Sequence, residues 1–217
     1  MEVKRIINLI ILDASGSMAI IYNQALCGVN ETIQTIRIGQ KDHPEFQQFL
    51  TLASFNSSRD YLKVKYSTTP IDEVKELTQE DYVTCGSTAL YDAMGEMISE
   101  LKRNVTIEDR ILVTVITDGF ENASQHWSGP QIKSLVEELR HEGWTFTYIG
   151  ANQDVEAVAG SMGIRNILAF EETEEGTNKM FEIESKARNR FFERLHLKDF
   201  VNSLLAEEDY FEDNESK

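Results

Sequence analysis

The sequence predicts an α/β fold, a Rossmann-like three-layer sandwich with a central, mostly parallel sheet of about six strands and helices on both faces. Three observations predict it. Strand-like apolar runs alternate with amphipathic helical stretches along most of the chain. The runs IINLIIL (6–12) and ILVTVIT (111–117) are nearly apolar throughout, as strands covered on both faces require. Each is followed by an aspartate, Asp13 and Asp118. In open parallel sheets the carboxyl ends of the strands are where function gathers.

The elements follow in order. Residues 5–12 read as a buried strand. Residues 18–38 read as a helix, with Ile21, Ala25, Val29, Ile33 and Ile36 on one face. Residues 49–55 and 61–66 read as strands joined by the turn-like Asn56-Ser57-Ser58, and the alternating second strand suits an antiparallel edge. A short helix is expected over 71–77. The loop Thr84-Cys85-Gly86-Ser87 then leads to a helix over 89–102 carrying Leu90, Met94, Met97 and Leu101. After the strand 110–117, Ser128 and Gln131 form a capping box, with Pro130 in the first turn of a helix. A strand over 144–150, a short helix over 154–162 and a last strand over 166–170 complete the alternation. No internal repeat is present.

The C-terminal part differs. Met180, Ile183, Ala187, Phe191 and Leu195 make one helical stripe, and Leu197, Val201, Leu204 and Leu205 suggest another. Between them lie Lys186, Arg188, Arg190, Arg194 and Lys198. The expected helix either packs on the sheet or offers a basic face to a partner. The expected organisation is a body over 1–175, a helical extension over 176–206 and a disordered acidic tail over 207–217.

Composition narrows the function. The chain has 217 residues, 41% hydrophobic and 27% charged, enough for one sizeable core. A net charge of −16 argues against nucleic acid and anionic membrane surfaces as partners. The apolar run near the start is too short to cross a membrane, and no small-residue cleavage site follows it. Cys27 and Cys85 give neither a metal spacing nor a disulfide framework. A cytoplasmic protein with two reduced thiols is expected.

The chemistry concentrates in Asp13-Ala14-Ser15-Gly16-Ser17. One carboxylate and two hydroxyls are oxygen donors only, the set that magnesium, manganese or calcium prefers. Asp118 adds a second carboxylate from another strand end, and Thr88 a hydroxyl from the intervening loop. A strand-end aspartate can also cap the next helix, and so can Ser15 or Ser17. Asp92, one helical turn after Thr88, reads as a supporting or solvated group rather than a ligand. His126 and Trp127 read as docking-surface residues or as packing over the loop.

With Thr88 in GSTAL and Asp118-Gly119 in VITDG, the D-x-S-x-S stretch resembles the metal-ion-dependent adhesion site of von Willebrand factor A-type (VWA) domains. The resemblance covers about residues 5–170, and all five motif positions are filled in order. It implies that Ser15 and Ser17 coordinate a divalent ion directly. Thr88 would do so directly in the ligand-bound arrangement and through water otherwise. Asp13 and Asp118 would hold the ion directly or through water, with one position open for an acidic side chain of a partner protein. It further implies a small intracellular bacterial-type member, of the kind that often works beside AAA+ ATPases. Two alternatives carry different expectations. A magnesium-dependent phosphatase of the haloacid-dehalogenase type also ends a strand in aspartate, but the general acid it needs two residues later is replaced here by Ser15. A scaffold would act through the C-terminal helix.

Overall fold

Residues 6–12 are too apolar to lie at a sheet edge, and the chain places them at its centre. In the computed structural model, which describes residues 4–151, 154–197 and 210–211, six strands form one sheet in the order β3-β2-β1-β4-β5-β6. They are β1 (Lys4–Asp13), β2 (Phe46–Phe55), β3 (Leu62–Pro70), β4 (Arg110–Thr117), β5 (Thr145–Ala151) and β6 (Asn166–Phe170). Neighbours are parallel except β2 and β3, so β3 is the expected antiparallel edge. Its exposed Lys63 and Lys65 discourage pairing with another chain.

Successive side chains of β1 point to opposite faces. Ile6, Ile10 and Leu12 enter one core, with residues of α1 (Tyr22–Asp42) and α5 (Glu174–Leu197). Ile7, Leu9 and Ile11 enter the other, under α2 (Leu90–Lys102), α3 (Gly129–His141) and α4 (Val155–Ser161). The capping box of Ser128 and Gln131 opens α3 as the sequence predicts.

Two local expectations are corrected. The helix expected over 18–38 is split into a 3-10 turn, Ser17–Ile21, and α1. The helix expected over 71–77 shrinks to a 3-10 turn, Ile71–Glu73. The reason is a rival set of hydrogen bonds. Asn30 of α1 accepts from Leu77 N at 2.7 Å and donates to Leu77 O at 3.0 Å, and Arg37 donates to Val74 O. With these backbone groups satisfied by side chains, no helical turn is needed.

The C-terminal helix α5 packs against α1 at two glycines. A Cβ on Gly28 would lie 2.0 Å from the Phe181 ring, and one on Gly39 would lie 2.5 Å from the Phe192 ring. Its buried face is not the purely apolar stripe expected: Ile183 is only half-buried, while Glu184 and Arg188 are inside. Arg188 therefore does not belong to a solvated basic face. It donates to Glu184 Oε1 (2.8 Å), to Asn8 Oδ1 of β1 (2.6 Å) and to Thr114 Oγ1 of β4 (2.9 Å). Tyr210, within the expected acidic tail, is 1% exposed; its N–H donates to Asn166 Oδ1 at 3.2 Å and its hydroxyl to Glu184 Oε1 at 3.3 Å. Phe211 packs edge-on against it. The rest of 207–217 and the second expected stripe, Val201, Leu204 and Leu205, lie outside the described residues. Among the described residues no helix is long and apolar enough to cross a membrane.

Candidate metal site

β1 and β4 are parallel neighbours, with Ile6 to Leu12 opposite Arg110 to Ile116. Asp13 and Asp118 therefore leave adjacent strands at the same end of the sheet. Three backbone bonds hold the loops there. Ala14 N donates to Phe55 O (2.7 Å), Cys85 N to Ala14 O (2.8 Å) and Gly16 N to Gly86 O (2.9 Å). Gly86 takes φ +70°, a left-handed conformation that glycine tolerates best. These contacts carry the loop before α2, and with it Thr88, to the Asp13–Ser17 stretch.

The donors converge. Ser15 Oγ lies 3.1 Å from Ser17 Oγ, and Ser17 Oγ donates to Asp118 Oδ1 at 2.8 Å. A Cβ on Gly119 would stand 3.3 Å from Thr88 Oγ1 and 3.8 Å from Ser17 Oγ, so both hydroxyls border the same spot and a side chain there would crowd them. Asp13 is committed to the scaffold: Oδ1 accepts from Ser15 N (2.7 Å), Oδ2 from Thr117 Oγ1 (2.6 Å), and its carbonyl from the Tyr82 hydroxyl (2.7 Å). The structure thus brings all five residues singled out from the sequence to one place.

The electrostatics are unbalanced. Asp13, Ser15, Thr88 and Asp118 are buried, and Ser17 faces solvent. Burial pushes the Asp13 carboxyl up to about 6, against the hydrogen bonds from Thr117 and Ser15 that favour its ionised form. Burial also raises Asp118, whose Oδ2 atom is shielded from solvent and whose carboxyl is hydrogen-bonded to that of Glu172. Two buried acids and three hydroxyls form a donor set that fits a hard cation. Among the described residues no group of three or more His, Cys, Asp and Glu is arranged to hold a metal, so any ion here depends on the hydroxyls.

Of the residues that shape the site, the sequence singled out Asp92 and Trp127 but not Glu121 or Asn122. Asp92, expected to support rather than ligate, accepts from the backbone N–H groups of Gln125, His126 and Trp127 and so pins the loop after β4. Glu121 accepts from Tyr91 N, Ala123 N and Ser124 N, and Asn122 bonds Thr88 through both its side chain and its backbone. Trp127 covers Gly95 of α2, where a Cβ would lie 2.1 Å from the indole; it packs over the helix. Beside the site a cleft of about 360 Å³ is lined by Ser57, Arg59, Tyr61, Ala89, Gln125 and His126. The clustered acids Asp118 and Glu121 were a visible signal; the loop anchoring was not.

No protein-family model matches the sequence, and no curated protein does. Solved structures do. The SpRpn10 VWA domain is 10% identical, with a TM-score of 0.55 over 80% of this chain and 92% of that one. This chain has the VWA fold. The von Willebrand factor domain of the type V pili tip protein Mfa5 from Porphyromonas gingivalis is 8% identical, with a TM-score of 0.58 over 88% of this chain and 97% of that one. Proximal thread matrix protein 1 from the mussel byssus is 16% identical, with a TM-score of 0.60 over 86% of this chain. The matched part spans 46% of the mussel protein, about half its length.

Proposed function

We propose that the chain is a metal-dependent protein-interaction module rather than an enzyme, and that a divalent cation, magnesium or manganese first, binds among Asp13, Ser15, Ser17, Thr88 and Asp118. The observation that carries this reading is the convergence of three hydroxyls on the buried Asp118 carboxylate, with which no base among the described residues forms an ion pair. When bound, the ion supplies positive charge at a strand end where the protein supplies only acids. Ser15, Ser17 and Thr88 offer neutral oxygens and Asp13 and Asp118 formally balance the ion's two charges, so a further acidic ligand, an aspartate or glutamate of a partner, would be drawn by the ion's remaining coordination position and its local field. That attraction acts at contact distance, whereas the net charge of −16 is screened over roughly 8 Å at physiological salt.

The surroundings suit protein docking. Ile20 and Phe120, three and two residues beyond Ser17 and Asp118, are 71% and 56% exposed and give the rim an apolar component. Arg59 in the adjoining cleft adds a positive group for an acidic segment. Free, exposed Cys27 and Cys85 suit a reducing cytoplasmic setting. Titration calorimetry with magnesium or manganese tests the reading: about one site is expected, lost in Asp13→Ala. Heat traces indistinguishable between the two proteins would remove it. Thr88→Ala should weaken an acidic partner more than it weakens the metal, and Asp118→Ala should damage both.

A further inference from the structure

We propose that Glu172, in the connection between β6 and α5, is a built-in acidic ligand of this site, sharing the cation with Asp118 and holding the position that a partner's carboxylate must take. The inference rests on the metal-dependent reading above and adds its regulation.

The topology brings Glu172 to the right end of the sheet. β4, β5 and β6 run parallel, so the connection that follows Phe170 emerges at the same end of the sheet as the end of β4, with β5 between them, and Glu172 reaches across the end of β5 toward Asp118. The turn that carries Glu172 is tightly built. Thr173 N donates to Glu171 O at 2.7 Å, Gly176 N to Thr173 Oγ1 at 3.0 Å, and a Cβ on Gly176 would lie 2.3 Å from Glu171 O. Glu172 interacts directly with Asp118.

The pairing is unusual because both partners are acids. Glu172 Oε1 and Asp118 Oδ2 are each shielded from solvent and receive no hydrogen bond from any other group; the two carboxyls are hydrogen-bonded to each other. Asp118 is 4% exposed. The neighbouring donor, Ser17 Oγ, is directed at the other oxygen, Oδ1. Among the described residues neither acid forms an ion pair. Two carboxylates held together out of water repel unless a cation or a proton lies between them. The hydroxyls of Ser17 and Thr88 lie near Asp118, so a cation held by this pair meets oxygen donors from four segments of the chain. Because Glu172 belongs to the same chain, an incoming acidic side chain competes against a ligand at high effective concentration. Docking then requires displacement of Glu172, and only a partner with additional contacts achieves it.

The test uses the full chain at pH 7.5. Manganese affinity is measured by calorimetry, and the waters on bound terbium are counted from its luminescence lifetime. Glu172→Gln should weaken manganese by about tenfold or more and add one water to terbium. Glu172→Asp, which keeps the charge on a shorter arm, should fall between. Equal affinity and equal water count in wild type and Glu172→Gln would overturn the role of Glu172 alone. A wild-type protein that binds manganese no better than Asp13→Ala would remove the metal site and this inference together. Unchanged far-UV circular dichroism in chelator establishes that Glu172→Gln is folded.

Discussion

Two groups of buried charge lie on the same sheet and are completed in different ways. Under α5, Arg188 is 0% exposed and Glu184 1%, and their nitrogens and oxygens find partners in each other and in Asn8, Thr114, Thr32 and Tyr210. At the carboxyl end of the sheet, Asp118 lies near Asp13 and is hydrogen-bonded to Glu172, and none of the three forms an ion pair with a base among the described residues. The first group closes on itself, so its charge serves the fold. The second is incomplete within the chain and points to something outside it. Burial of charge alone does not separate structure from function; the completeness of its partners does.

The contrast can be broken most forcefully at Arg188. Arg188→Met should destabilise the protein by about 3–5 kcal/mol in urea unfolding, because Glu184 is left buried and uncompensated. Replacing Glu184 by Leu as well should restore much of that loss. At the other group the sign reverses. With chelator present, ionising Asp13 costs the folded state about 3 kcal/mol, since its carboxyl titrates near 6 in place of 3.8. Stability from this group is complete below about pH 4 and is lost as pH rises through about 6. Asp13→Asn should therefore flatten the fall in stability between pH 4 and 7, measured by urea unfolding across that range.

Magnesium should recover part of what the buried acids cost. At a hundredfold excess over its Kd the gain is about 2.7 kcal/mol. It should be larger at pH 7.5 than at pH 5, where protons compete for Asp13, and absent in Asp118→Ala; thermal unfolding with and without the ion reads both. The smallest effect belongs to a residue of neither group. Ser128→Ala removes the capping box of α3 and should cost about 1 kcal/mol while leaving the response to magnesium intact.

Much of this contrast was visible in the sequence and part of it was not. Alternating apolar runs and helical stripes gave the order of strands and helices, because both faces of the sheet are covered by local amphipathic elements. Asp13, Ser15 and Ser17 were legible because they lie within five residues, and Thr88 and Asp118 because they belong to the same resemblance. That α5 packs on the sheet was one of the two expected readings, but the burial of Arg188 was not legible, because periodicity registers apolar spacing and its acceptor Asn8 is 180 residues away. Glu172 was invisible as a site residue, since its nearness to Asp118 follows from three parallel strands ending together. The failed helix at 71–77 has the same origin: Asn30, 47 residues earlier, took the backbone groups of Leu77.

The docking of Tyr210 also bears on how the molecule can be handled. Its ring lies 6.0 Å from that of Phe191, and its amide is tied to Asn166 at the start of β6. A fluorophore or affinity handle placed just after Phe211 would therefore report from a fixed point on the β6 side of the sheet. Removing everything from Tyr210 onward would uncover the Phe191 ring and the Glu184 carboxylate to water, so a truncated form should be more readily cut by proteases along α5 than one ending after Phe211.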